Sequence, residues 1–400
     1  MSAGLAPAGA AEAASARGQV RSLYIHVPFC ERRCEYCDFV SMAGREREVE
    51  YVEALRTELR GLAARLARLE LDTVFVGGGT PSFIEPARLA GILEEVRAGF
   101  DLASGCEITL EANPSSTTEA RAGAWLRAGF NRVSLGVQSL EPDILAFLGR
   151  VHDRDRALAA VAEVRAAGFS RVSCDLIYAV PGLDDARWRS TLERVAALGT
   201  GHVSAYELTV EPGTPLHAGV RRGTRPAVDP EAALRQHRMT VEILGAAGLL
   251  QYEVSNYARP GEECRHNLVY WRRGHYLAAG LGAHGHLPAA LAAPLDIPVP
   301  AETASLRYWN GRSLPAYLTA CHRSGGLALE GWEAVGASEA ETERILVGLR
   351  LAEGLGVSES WGARTGELVA AELLWRRDGR VGTTARGQEV LDEVVRRLVR

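Results

Sequence analysis

Three cysteines, Cys30, Cys34 and Cys37, fall on one short stretch, the run HVPFCERRCEYCDF. Their spacing is C-x-x-x-C-x-x-C. It follows a short apolar run, Leu23 to Val27, which reads as a strand, so the thiols sit on the loop leaving that strand. Three thiolates on one loop suit soft metals, and iron–sulfur clusters are held by cysteine thiolates. A four-iron cluster held by three cysteines keeps one iron free of protein ligands, an open position where a small molecule can bind and react. Where a fourth thiol would be nearest, two residues past Cys37, the chain has Phe39. A structural zinc site wants four ligands, usually from paired knuckles, and no second cysteine pair has that spacing. A disulfide with a spare thiol needs an oxidising compartment, and nothing marks the chain as secreted.

Further polar groups close other strand-like runs. Gly77-Gly78-Gly79-Thr80 offers backbone N–H groups without bulk after Thr73–Val76; alone it reads as a tight strand–helix turn. Glu111 ends Glu107–Glu111, Gln138 follows Arg132–Val137, and Asp175 lies at the end of Arg171–Leu176. With the cysteines, five consecutive strands deliver a special group to one rim. Arg150 and Asp175 could equally be ordinary ion-pair members, Tyr24 and Tyr36 plain core residues, and His266 a satisfied loop histidine.

Those strands, with His202–Glu207, alternate with amphipathic stretches: Glu48–Leu69, Arg88–Ala98, Glu119–Ala128, Asp155–Ala167 and Arg187–Leu198. In the first, Leu55, Leu59, Leu62 and Leu66 recur at helical spacing. Gly129, Gly168 and Gly199 stand where helix C-caps belong. Sixfold alternation predicts a parallel sheet with crossover helices, whose chemistry gathers at the strands' C-terminal ends. Beyond about residue 300 the pattern changes. Glu339–Leu351, Leu368–Leu374, a turn and a last helix, Arg386–Val399, read as a small winged-helix-like appendix for packing or partner docking.

The composition allows a large core (47% hydrophobic), and a net charge of −5 gives no nucleic-acid footprint. All 45 basic residues are arginine. Cys106, Cys174, Cys264 and Cys321 read as ordinary buried thiols in a reducing cytoplasm. No apolar run is long enough for a membrane span.

The three-cysteine run resembles the signature of radical S-adenosylmethionine (radical SAM) proteins. The runs YIHVPFC, CxYCDF, GGGTPS, EANP, GVQS, LGRVH and DLIYAVPG resemble one branch of it, from about Ser22 to the C-terminus. That branch contains oxygen-independent coproporphyrinogen III dehydrogenases and the HemW-type haem chaperones. The dehydrogenases carry a further cysteine where this chain has Phe39. The chaperones carry H-N-x-x-Y-W, here His266-Asn267-Leu268-Val269-Tyr270-Trp271, followed by Gly280-Leu281-Gly282-Ala283-His284-Gly285. Ala179 stands where a glycine is usual, and the loop Ala289 to Pro300 has no assigned role.

The resemblance implies an α/β fold: a partial (β/α)6 TIM-like radical SAM barrel with a small C-terminal winged-helix-like domain. Residues 1–20 are then a disordered tail, 21–230 the barrel, 231–300 its extension bearing the haem motif, and 301–400 the C-terminal domain. It implies a [4Fe–4S] cluster on Cys30, Cys34 and Cys37. SAM would be contacted by Gly78, Gly79, Thr80, Glu111, Gln138, Arg150 and Asp175, with Tyr24 and Tyr36 beside the cluster loop. Haem would be bound through His266 and passed to acceptor haemoproteins, respiratory ones included. The expected activity is that of a cytoplasmic haem chaperone; the alternative is the dehydrogenase.

Overall fold

The computed structural model describes residues 15–323, 325–358 and 361–399. Its centre is one sheet of twelve strands: β1 (Val20–Val27), β2 (Glu70–Gly78), β3 (Asp101–Ala112), β4 (Arg132–Gln138), β5 (Arg171–Tyr178), β6 (His202–Glu207), β7 (Leu250–Glu253), β8 (Asn256–Ala258), β9 (His275–Ala279), β10 (His284–Pro288), β11 (Ser305–Asn310) and β12 (Leu329–Val335). The spatial order is β12-β11-β10-β9-β1-β2-β3-β4-β5-β6-β8-β7. All six expected β/α strands are there, consecutive and parallel. They are buried over most of their length, as strands covered on both faces must be.

A seventh parallel strand was not foreseen. β9, late in the chain, pairs in parallel with β1, Leu23 opposite Leu277 and Ile25 opposite Ala279. Its C-terminal end therefore opens onto the same rim as the cysteine loop. Its alternation is short and lies far from the β/α repeat, so periodicity alone gave it no partner.

The crossovers are α1 (Glu48–Leu66), α2 (Pro86–Gly99), α3 (Glu119–Ala128), α4 (Pro142–Leu148) with α5 (Arg154–Ala166), and α6 (Asp185–Ala197). α1 buries Leu55, Leu59, Leu62 and Leu66 against the sheet. Thr118, Asp153 and Asp184 cap α3, α5 and α6, each side chain accepting from a backbone N–H three residues on. Gly129 ends α3 with φ 107°, a left-handed cap. Beyond β6 come α7 (Pro215–Arg221), α8 (Pro230–Ala246) and α9 (Arg265–Trp271), and α10 (Leu314–Arg323) follows β11.

The chain's ends depart from the expected division. Residues 1–14 of the expected tail lie outside the described residues, but Ala16 is in the core and Val20 opens β1. At the other end, β11, α10 and β12 belong to the main body. A separate small core begins only at Ile345 and runs to Leu398. It is built by α11 (Ala337–Gly348), α12 (Gly362–Ala370), α13 (Ala385–Glu389), α14 (Leu391–Val399) and a three-stranded sheet, β13 (Leu355–Gly356), β14 (Leu374–Arg377) and β15 (Arg380–Thr383). The expected last helix is broken at Val390 into α13 and α14.

Candidate functional site

The loop after β1 is pinched at its base. Phe29–Cys30 pair with Met42–Ala43, and the His26 ring Nε2 lies 2.7 Å from the Val40 carbonyl oxygen. At its tip the Glu35 N–H donates to Leu148 O at the end of α4 (3.3 Å), and Leu216 N–H of α7 donates to Glu35 O (2.9 Å). Cys30 is buried, Cys34 and Cys37 half-buried, and all three thiols are free of disulfides. Among the described residues, no three His, Cys, Asp or Glu side chains, these cysteines included, are grouped to hold a single metal ion. A multi-iron cluster, with one thiolate on each iron, allows that wider spacing.

Three other motifs wire this loop to the rim. The Thr80 hydroxyl donates to Cys30 Sγ (3.5 Å) and accepts from Asn113 Nδ2 (3.1 Å). The Arg150 guanidinium donates to Asn113 Oδ1, to Gly136 O (2.9 Å) and to Cys34 Sγ (3.4 Å). Thus GGGT, EANP and LGR form one hydrogen-bonded chain between two of the three cysteines. Burial works against the charge on Arg150, but Tyr36 and Cys34 beside it outweigh that cost and keep it protonated. A fixed, half-buried cation bonded to one of the three sulfurs suits an anionic thiolate cluster. Asn113 was not singled out from sequence; its only signal there was membership of EANP.

The glycine turn is obligatory. Gly78 has φ 116°, and a Cβ there would sit 2.6 Å from the His26 ring; one on Gly79 would meet the Pro28 backbone. The Gly78 N–H donates to Glu111 Oε2 (3.0 Å), bringing the β3 carboxylate under the turn. Burial, aided by the charge of Asp175, pushes the Glu111 carboxyl up to about 7. Gln138 ends β4 at φ 63°, the centre of a tight turn in which Ser139 N–H donates to Val137 O (2.8 Å). A non-glycine residue held there is strained, as residues at ligand sites often are. Asp175 lies deeper. Its carboxylate accepts from the hydroxyls of Ser134, Ser173 and Ser204 and faces inward with Glu111. Tyr24 is bonded to the His26 ring (3.0 Å) and stacked on Phe75; Tyr36 stands against Arg150.

His266 is not brought to this rim, which departs from the expectation for it. It is 1% exposed. Its Nδ1 lies 2.7 Å from the Thr73 hydroxyl and its Nε2 2.9 Å from the Tyr270 hydroxyl, and its ring stacks on Phe75. Thr73 is five residues before Gly78 on β2, roughly 16 Å toward the strands' N-terminal ends. The buried Glu107 carboxylate accepts the Arg265 and His266 N–H groups and so caps α9 from a neighbouring strand. With both nitrogens occupied, the ring acts as a plug in the barrel floor and offers no lone pair to iron. Spacing could not show this, because it does not fix which end of a strand a distant helix meets.

Residues 24–195 match the radical SAM superfamily. The chain is 40% identical over 389 residues to the heme chaperone HemW of Mycobacterium tuberculosis, covering 96% of this chain and 95% of that one. This chain belongs to the HemW family. The HemW of Escherichia coli K12 is 40% identical over 268 residues, 66% of this chain and 69% of that one. Among solved structures, coproporphyrinogen III oxidase (HemN) from E. coli, a radical SAM enzyme, superposes with a TM-score of 0.78 at 20% identity. The superposition covers 98% of this chain and 93% of that one, a likeness of fold. Superfamily membership brings a [4Fe–4S] cluster and SAM as cofactors. The residues fit them: three unpaired thiols, a half-buried guanidinium bonded to one of them, and a bulk-free turn over a carboxylate.

Proposed function

We propose that this chain is a haem chaperone that binds haem and hands it to acceptor haemoproteins, respiratory enzymes among them, in the cytoplasm. The observation that carries the reading is the near full-length likeness to the heme chaperone HemW, which spans both the cluster-bearing barrel and the C-terminal unit. No helix among the described residues is long and apolar enough to cross a membrane.

Within that reading Cys30, Cys34 and Cys37 would hold the cluster, and the rim above them would hold SAM. When bound and reduced, that pair supplies homolytic cleavage of a sulfonium C–S bond. The chain's own part is to prepare the place. The Gly77–Gly79 turn clears space for the methionine end, and Glu111 sets a carboxylate there for its amino group. Gln138 offers an amide held in position by a strained turn. Arg150 holds the loop and its negative charge, with Tyr36 shielding the guanidinium from water. Asp175, bonded to three serine hydroxyls, orders the strand ends beneath. Tyr24 fixes the His26 ring that supports the glycine turn. His266, as it stands, serves the floor of the barrel.

Two assays on anaerobically reconstituted protein test the reading. Haem titration should give saturable binding, and loaded protein should transfer haem to an apo-haemoprotein. Turnover of coproporphyrinogen III to protoporphyrinogen IX with SAM and a reductant would overturn it in favour of the dehydrogenase.

A further inference from the structure

The parallel strand β9 ends at the rim beside the cysteine loop, and the turn Gly280-Leu281-Gly282-Ala283 carries the chain over that rim into β10. The contacts are close. A Cβ on Gly282 would lie 2.6 Å from the Val40 side chain, three residues past Cys37, and the Leu281 N–H is bonded to the Tyr51 hydroxyl (3.1 Å). The first residue of β10 is His284, whose side chain is exposed. Among the described residues neither of its ring nitrogens has a hydrogen-bond partner, whereas both nitrogens of the neighbouring His26 are engaged.

The His284 ring is nevertheless held. It is paired in register with Trp309 of β11, and the two rings stack with centroids 5.8 Å apart and planes 24° from parallel. Trp309 in turn lies over Gly331 of β12, where any side chain would strike the indole. The sheet thus presents an imidazole of fixed plane with its edge toward solvent. Phe39, 65% exposed, stands on the adjoining loop next to Val40. Arg312 is exposed and without an ion pair among the described residues; partial desolvation of the His284 ring, and then the Arg312 charge, disfavour its charged form.

We infer that His284 is the protein ligand to the iron of bound haem, with Trp309 fixing the ring, Phe39 facing the macrocycle and Arg312 pairing with a propionate. This rests on the haem-binding reading above and moves the haem site from the barrel floor to the rim, beside the cluster. The chemistry is ordinary. A neutral imidazole with a free lone pair binds iron, an aromatic edge covers the porphyrin, and a guanidinium takes a carboxylate.

The test uses the full-length, cluster-reconstituted protein and hemin as the probe. Wild type, His284→Ala, His284→Cys and His266→Ala are each titrated, with the Soret band and the iron EPR signal as readouts. His284→Ala should weaken binding at least about tenfold and shift the Soret band. His284→Cys should convert the spectrum to that of a thiolate-ligated haem, a gain that misfolding cannot mimic. His266→Ala should keep the wild-type haem spectrum while lowering the melting temperature. Wild-type binding with unchanged affinity and spectrum in both His284 variants would overturn this inference and leave the chaperone reading standing. Absence of haem binding by the wild type would overturn both.

Discussion

Arg150 carries the largest share of the site's organisation for a single side chain. It is half-buried, and donates to a thiol, an amide oxygen and a backbone carbonyl contributed by three separate motifs. Replacing it with Met leaves those acceptors unpaired and removes the cation from the thiolates. We expect Arg150→Met to lose most of its iron on reconstitution, measured as iron per chain and as visible absorbance. Arg150→Lys should not restore it, because a point charge cannot span three acceptors as the planar fork does. Full iron content in both variants would show that the guanidinium does not support the cluster. A second residue-scale case is Ala179, where a glycine is usual in the family branch this chain resembles. It follows β5 with φ 58°, and its N–H donates to buried Gln236 Oε1 (2.8 Å). An alanine held in the left-handed region costs about 1–2 kcal/mol. Ala179→Gly should therefore raise the unfolding free energy by up to about 1 kcal/mol, read as a higher denaturation midpoint, the loss of a buried methyl and the added chain entropy taking the rest. A lowered midpoint would mean that the backbone there is unstrained.

The element that does most outside the barrel repeat is the β9–β10 turn, and a buried carboxylate holds it. Glu58 of α1 accepts from the Gly280 N–H (2.8 Å), the Tyr317 hydroxyl of α10 (2.7 Å) and Asn310 Nδ2 of β11, tying four elements to one group. Burial outweighs those donors and pushes its carboxyl up from the usual 4.5 to about 7. A carboxyl whose folded value is raised binds a proton on folding. Its contribution to stability is therefore present at acid pH, declines as pH rises from about 4.5, and is lost above about 7. The shift corresponds to roughly 3 kcal/mol at most. Glu58→Gln should flatten the fall in melting temperature between pH 5 and 8, with Glu111 leaving a residual slope of the same sign. An unchanged slope would place the pH dependence elsewhere. The six β/α units were legible as elements because parallel strands buried on both faces give continuous apolar runs closed by glycine caps. β9 was not, since only its pairing with β1, some 250 residues earlier, makes it part of the same sheet.

At the scale of the whole molecule, α9 is the joint between the barrel and the small C-terminal core. Its first residues are capped by Glu107 of β3. At its far end the Trp271 ring lies under the Arg350 guanidinium, 5.8 Å from the ring centre, and Arg272 pairs with Glu353. Trp271→Ala removes the ring on which the Arg350 guanidinium rests, a cost of roughly 0.5–2 kcal/mol. Hydrogen exchange should then rise together in α9 and in residues 351–354, while the cluster absorbance stays. Faster exchange in α9 alone would show that the two units are not coupled through this residue. The sequence by itself determined the three-thiol loop, the glycine turn and the alternation that makes a barrel, because each is written in neighbouring residues or in a short period. The tertiary structure decided which histidine faces inward and which faces out, that Asn113 and Arg150 bridge two cysteines, and where the second core begins. Those depend on which strand ends meet, a property of long-range pairing that no local spacing encodes.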